Sequence, residues 1–166
     1  MTISLPTGFI DKYTEACDFF INNDIIGRSC TIIFPPKRTA CSNCIVRPVG
    51  TSSTNVYRHG GPASFSFGSC PLCGGNGYKE TEVTDTVRLR IYWNRADWIK
   101  VGNINIDNAD VMIIGFISDL SKILKSIEIL LVKDQTESTY RAKLIGKPNP
   151  HGFGRNRYFV AYLQGV

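Results

Sequence analysis

Apolar residues at steps of three and four open the chain. In GFIDKYTEACDFFINND (8–24), Phe9, Ile10, Tyr13, Cys17, Phe20 and Ile21 follow that spacing, with Asp11, Lys12, Glu15 and Asp18 between them. This is the period of an amphipathic helix. Pro6 and Thr7 suit its start, and Asn22, Asn23 and Asp24 its end. Cys17 falls on the apolar face and reads as a packed thiol. The period then shortens to two. GRSCTIIFPP (27–36) predicts a strand halted by Pro35 and Pro36, with Cys30 among apolar neighbours. TVRLRIYW (86–93) sets Val87, Leu89 and Ile91 against Arg88 and Arg90, the alternation of a half-buried strand. ADVMIIGFIS (109–118) and IEILLV (127–132) predict two more strands. Between them, SDLSKILKS predicts a short helix with Ser118 as N-cap and Leu120, Ile123 and Leu124 as its apolar face. TYRAKLIG (139–146) and RYFVAYLQ (157–164) predict strands on either side of a turn-rich KPNPHGFGRN, in which His151 is a turn residue.

The tally is one helix, one short helix and about six strands with mostly short connections. It predicts a mainly β fold, a small antiparallel sheet or barrel with an N-terminal helix, rather than alternating βαβ units. Periodicity fades between residues 37 and 79. That stretch holds four cysteines, a Ser/Thr cluster at 51–54, HGGP at 59–62 and GGNG at 74–77, so it reads as an insertion that needs a staple. The expected organisation is therefore residues 1–36 as helix and first strand, 37–79 as a zinc-ribbon-like insertion, and 80–166 as the rest of the β core.

The staple is visible in the cysteines. Of six, Cys41 and Cys44 form one Cys-x-x-Cys pair and Cys70 and Cys73 another, with 25 residues between the pairs. Two such knuckles supply four soft ligands to a tetrahedral ion, because each tight turn aims both thiols at one point. In CPLCGG the proline fixes the turn, and the glycine after Cys73 leaves backbone amides free to approach the sulfurs. A thioredoxin-like redox pair would open a helix, whereas GGNG after CPLC stops one. Two disulfides would require an oxidising compartment, and no export signal supports one. Rubredoxin-like iron uses the same knuckles and is the closer rival, although CSNCIV lacks the glycine that usually follows. A closed four-thiolate zinc site, structural rather than catalytic, is the favoured reading. His59 reads as a loop residue and not a ligand. CPLCGGNG also resembles the Cys-x-x-Cys-x-Gly-x-Gly repeat of J-domain chaperone zinc modules, but one copy without a J domain implies only shared turn chemistry.

Composition narrows the rest. With 43% hydrophobic and 20% charged residues, 166 residues suffice for one soluble globular core. The apolar stretch 111–132 carries Asp119, Lys122, Lys125 and Glu128, too many charges to span a bilayer. No secretory leader opens the chain, so synthesis in a cytoplasm is expected. Nucleophile elbows, phosphate loops and His-x-x-x-His are absent and only two histidines exist, so no enzyme is expected. NIDNAD (105–110) reads as a β-turn rather than a calcium loop. The net charge of +5 is spread without runs. Arg88, Arg90, Arg95 and Lys100 beside Tyr92, Trp93 and Trp98 are candidate nucleic-acid contacts, against the simpler reading of a solvated basic face over core aromatics.

The order of features is an N-terminal helix, CTIIFPP, the cysteine pairs, TVRLRIYWNRADWIKVGNINI, DVMIIGFISDL and LIGKPNPHGFGRNRYFVAYL. It resembles the neck proteins of tailed bacteriophages, the head-closure and adaptor proteins of the head-to-tail junction. The resemblance implies a small β-barrel and a virion protein that assembles as a homo-oligomeric ring, closes the filled capsid and docks the tail. Its partners would be a portal or adaptor above and tail proteins below, with non-specific DNA contact in the lumen and none with membrane. The cysteine insertion departs from the short barrel of that group. The rival reading is a zinc-ribbon nucleic-acid-binding protein acting alone.

Overall fold

A computed structural model describes residues 6–47, 52–65, 68–100, 108–132, 138–152 and 156–166. The helical period at the start becomes α1, Thr7–Asn22, bounded by Pro6 and by Asn23, whose backbone turns to an extended conformation. Ile21 is buried, and Ile10, Tyr13, Cys17 and Phe20 are half-buried. Phe9 departs from the expected face, with half of its surface exposed.

The strands that follow are β1 (Gly27–Ala40), β2 (Cys44–Val46), β3 (Ser53–Tyr57), β4 (Tyr78–Tyr92), β5 (Val111–Phe116), β6 (Glu128–Val132), β7 (Thr139–His151) and β8 (Tyr158–Gly165). Two short helices join them: α2 (Arg95–Lys100), and α3 (Leu120–Lys125), which is entered through a 3-10 turn at Ile117–Asp119. Six strands close into an antiparallel barrel in the order β1-β4-β5-β8-β7-β6, and β1 completes the ring by pairing with β6, Thr31 opposite Leu130. β2 and β3 form a separate two-stranded sheet. The mainly β expectation is met.

Alternation fills the barrel. Cys30 and Ile32, Val87 and Leu89, Val111 and Ile113, Ile129 and Leu131, and Phe159, Ala161 and Leu163 sit two apart on their strands and share one buried cluster with Ala142 and with Ile123 of α3. The other faces of β5 and β8 are covered too. Met112, Val160 and Tyr162 pack with Ala109 and with Trp98 of α2, whose ring lies edge-on to Tyr162 at 5.4 Å. Burial on both faces explains why VMIIGF and YFVAYL read as continuous apolar runs rather than clean alternations.

Contact density divides the chain into two compact units: Met1–Phe34 with Thr84–Val166, and Pro35–Val83. Both boundaries fall inside strands, β1 and β4.

Four expectations need correction. β1 does not stop at its prolines but runs to Ala40. Its pairing with β6 covers Thr31 to Ile33, so at Pro35 the side of β1 that faced β6 has no strand among the described residues and the missing N–H forfeits no rung there. Ser118 caps nothing: it lies inside the 3-10 turn, and Asp119 precedes α3 without a side-chain cap bond. Ile123 of α3 is buried, but Leu124 points outward with 53% of its surface exposed. The supposed turn beginning at Lys147 is the continuation of β7, in which Asn149, Pro150 and His151 pair with Val160, Phe159 and Tyr158 after an irregularity at 145–149. Gly146 at φ 65° allows that irregularity, and His151 is therefore a strand residue. Residues 105–107 of the expected turn at NIDNAD lie outside the described residues. No helix among the described residues is long and apolar enough to cross a membrane.

Candidate metal centre

Each pair of thiols is set by a local turn. Cys41 follows β1 and Cys44 opens β2, so both flank the bend at Ser42 and Asn43. Cys70 and Cys73 belong to a second turn, in which the Gly74 N–H donates to the Cys70 carbonyl at 2.8 Å and the Asn76 N–H to the Cys73 carbonyl at 3.0 Å. Gly77 carries the second turn back toward the first. Its φ is 82°, and a Cβ added there would stand 2.8 Å from the Ser53 nitrogen. The Cys41 N–H then donates to the Gly77 carbonyl at 2.9 Å, and the Ser53 N–H to the Gly75 carbonyl at 3.0 Å, which laces the two turns together through backbone.

The result brings four sulfurs, separated by up to 32 residues in sequence, within 4.8 Å of one another. Cys41 and Cys70 Sγ are 3.8 Å apart, and Cys44 and Cys73 Sγ 3.6 Å. Four sulfurs around a tetrahedral ion at about 2.3 Å stand about 3.8 Å from each other, whereas a disulfide would bring a pair to about 2.05 Å. All six cysteines are free. The donor set therefore fits one metal ion and not two disulfides. Four sulfurs fill a tetrahedral shell and leave no position open for a substrate.

Burial and N–H donors act on these sulfurs in opposite directions. All four residues are buried, with Phe65 packed against them. Burial pushes the Cys44 thiol up to about 12, aided by hydrogen bonds with the neighbouring thiols and opposed by Ser53. At Cys70 burial also raises the pKa, but the Asn43 amide and the backbone N–H groups of Leu72 and Cys73 outweigh it and bring the thiol down to about 6. Further N–H groups point at sulfur from Asn43 to Cys41 at 3.4 Å and from Gly77 to Cys73 at 3.3 Å. Such donors stabilise sulfur in the charged form that binds metal.

The remaining candidates sit elsewhere. His59 is exposed at a turn, and no described histidine joins the sulfur group. Cys30 lies in the barrel interior, where burial pushes its thiol up to about 12. Arg88 pairs with Asp24. The Arg90 guanidinium lies between Phe20 and Tyr92, 4.5 and 4.6 Å from the ring centres. Arg95 donates to the Ala109 carbonyl at 2.6 Å and lies over Trp98. The Lys100 side chain lies outside the described residues. Trp98 is buried, with its indole N–H on the Tyr92 carbonyl at 3.2 Å, and Tyr92 and Trp93 are half-buried.

Asn43 is the residue that spacing arguments passed over. It is fully buried and its amide reaches across to the other knuckle, donating to Cys70 Sγ at 3.5 Å. The one available signal was its place between two cysteines, which does not distinguish a buried amide from an exposed turn residue. No protein-family model, curated protein or solved structure matches the chain.

Proposed function

We propose that Cys41, Cys44, Cys70 and Cys73 hold a structural zinc ion that orders the module between β1 and β4. The observation that carries this reading is the pair of cross-knuckle sulfur separations, 3.8 and 3.6 Å, which suit a tetrahedral four-thiolate site. Zinc is preferred to iron because its closed shell imposes no electronic geometry and needs no redox partner. The ion's binding energy is folding energy for a segment whose own apolar core is small.

We further propose that the protein is a virion component of a tailed phage, a ring subunit at the head-to-tail junction. Copies of the chain would close the capsid beneath a portal or adaptor and dock tail proteins below, with packaged DNA passing through the lumen. The support is the closed barrel behind an N-terminal helix, together with a metal site that has no room for catalysis. Engagement of Arg88, Arg90 and Arg95 with partners inside the chain favours this reading over a nucleic-acid-binding one.

Native mass spectrometry with metal analysis tests both parts. The expected result is a ring-sized oligomer with one zinc per chain. Iron in place of zinc would overturn the metal identity. A monomer with steeply salt-dependent affinity for DNA would overturn the ring.

A further inference from the structure

Asn43 uses every polar group it has. Its backbone N–H points at Cys41 Sγ and its carbonyl accepts the Arg58 N–H at 3.0 Å. Its side-chain oxygen accepts the Ala63 N–H at 2.7 Å and its side-chain nitrogen donates to Cys70 Sγ at 3.5 Å. The orientation of the amide is determined by its neighbours. Flipping it would set N–H against the Ala63 N–H and oxygen against sulfur, losing both bonds. One buried residue, through its backbone and its side chain together, thus joins both knuckles to the turn at 58–63. That turn is tight against it: a Cβ on Gly61 would stand 2.8 Å from the Asn43 side-chain oxygen and 3.0 Å from its Cα. The Gly61 N–H bonds back to the Arg58 carbonyl, and the Tyr57 hydroxyl donates to the Gly61 carbonyl at 3.1 Å.

We infer that Asn43 is a positioning residue through which metal occupancy orders the 58–63 turn and by which the Cys70 sulfur is tuned as a ligand. The inference rests on the metal reading above. A bound ion ties the sulfurs of both knuckles to one point; without it no bond holds Cys70 Sγ in place, and the 3.5 Å contact with the Asn43 amide opens. Metal loss therefore removes the partner of a buried amide, and a buried donor without a partner is not retained in place. Asn43 then lets go of Ala63 and Arg58, and the turn that presents His59 at the surface loosens with the site. The binding of an ion in the interior is in this way conveyed to a surface turn.

The full chain titrated with cobalt(II) alone tests this, read by the sulfur-to-cobalt charge-transfer band, by competition with a chelator, and by amide exchange with and without metal. Asn43→Asp keeps an acceptor for Ala63 but loses the donor to Cys70. Its expected affinity is about 10- to 100-fold lower. Its charge-transfer band moves to lower energy, since the sulfur is more electron-rich, and Ala63 remains protected in the loaded protein. Gly61→Ala does the opposite, freeing Ala63 while leaving the band in place. Ser42→Ala, at the exposed residue beside it, behaves as wild type. In the wild-type chain the amides of 58–63 exchange slowly with metal and fast without it. An Asn43→Asp variant with undiminished affinity and an unmoved band overturns the tuning role, and a wild-type Ala63 amide that exchanges equally in both states overturns the coupling. A wild-type chain that takes up no cobalt overturns the metal reading and this inference with it.

Discussion

Single residues divide here into those held by chemistry and those held by space. Cys73 is the first kind: Cys73→Ser removes one of four ligands, and the expected outcome is a loss of amide protection across 41–77 with the barrel amides retained, measured by hydrogen exchange. Gly77 is the second. An alanine there meets a φ of 82° and the Ser53 nitrogen at 2.8 Å. Backbone strain of this type costs about 1–3 kcal/mol, so Gly77→Ala should release metal to a chelator faster than wild type. In β5, a Cβ on Gly115 would stand 2.7 Å from a Leu89 methyl and 2.8 Å from the Phe159 ring. Gly115→Val overpacks the barrel and should lower its unfolding free energy by about 1–3 kcal/mol in a denaturant titration. The cysteines were legible from spacing, because ligand chemistry restricts which residues serve. Asn43 was not, since its role depends on Ala63 and Cys70, which lie 20 and 27 residues away.

Among the elements, α1 is fastened to the start of β8 by a polar cluster. The buried Tyr158 hydroxyl donates to the Asp18 carboxylate at 2.7 Å and lies 3.0 Å from the Thr14 carbonyl, while Arg157 reaches Asp18 at 2.6 Å. Burial first, and then the Asp18 carboxylate, raise the Tyr158 pKa well above the ordinary 10.0. Burial and a hydrogen bond with Cys17 push Tyr13 of the same helix up to about 12. Both phenols are thus harder to ionise folded than unfolded. Their contribution is fully present below the unfolded value of 10.0 and is lost as pH rises through the folded values. The buried Cys30 thiol, raised from 9.0 to about 12, follows the same rule from a lower starting point. Denaturant titrations from roughly pH 8 to pH 11 should therefore show stability beginning to fall above about pH 9 and falling more steeply above about pH 10. Tyr158→Phe should lower stability by about 1.5–3 kcal/mol at neutral pH and flatten that decline. α1 and most strands were legible because one face of each is buried. The first half of β4 was not: Lys79 to Thr84 are all exposed, so no alternation betrays a strand. α2 was missed for a related reason, being six residues long with Trp98 as its one described buried side chain.

At the scale of the whole molecule, the barrel has its own continuous core and the cysteine module has the sulfur cluster. Chelation should therefore strip protection from the module while the barrel strands keep theirs, giving two separable transitions where the metal-loaded chain is monitored by exchange and by near-ultraviolet dichroism together. The closed order of strands could not be read from sequence, because β1 meets β6 and β4 meets β5 only through tertiary register. Closure also leaves the barrel rungs without a spare edge. The stretch of β1 beyond β6 is different, for there one side of the strand is bare among the described residues, and Pro35 occupies it. A proline has no N–H to offer an incoming strand, so the residue that looked like a stop signal leaves that bare side one donor short for pairing with another copy. Pro35→Val restores a donor to that bare side, and light scattering at rising protein concentration should register faster, disordered aggregation than in the wild-type chain.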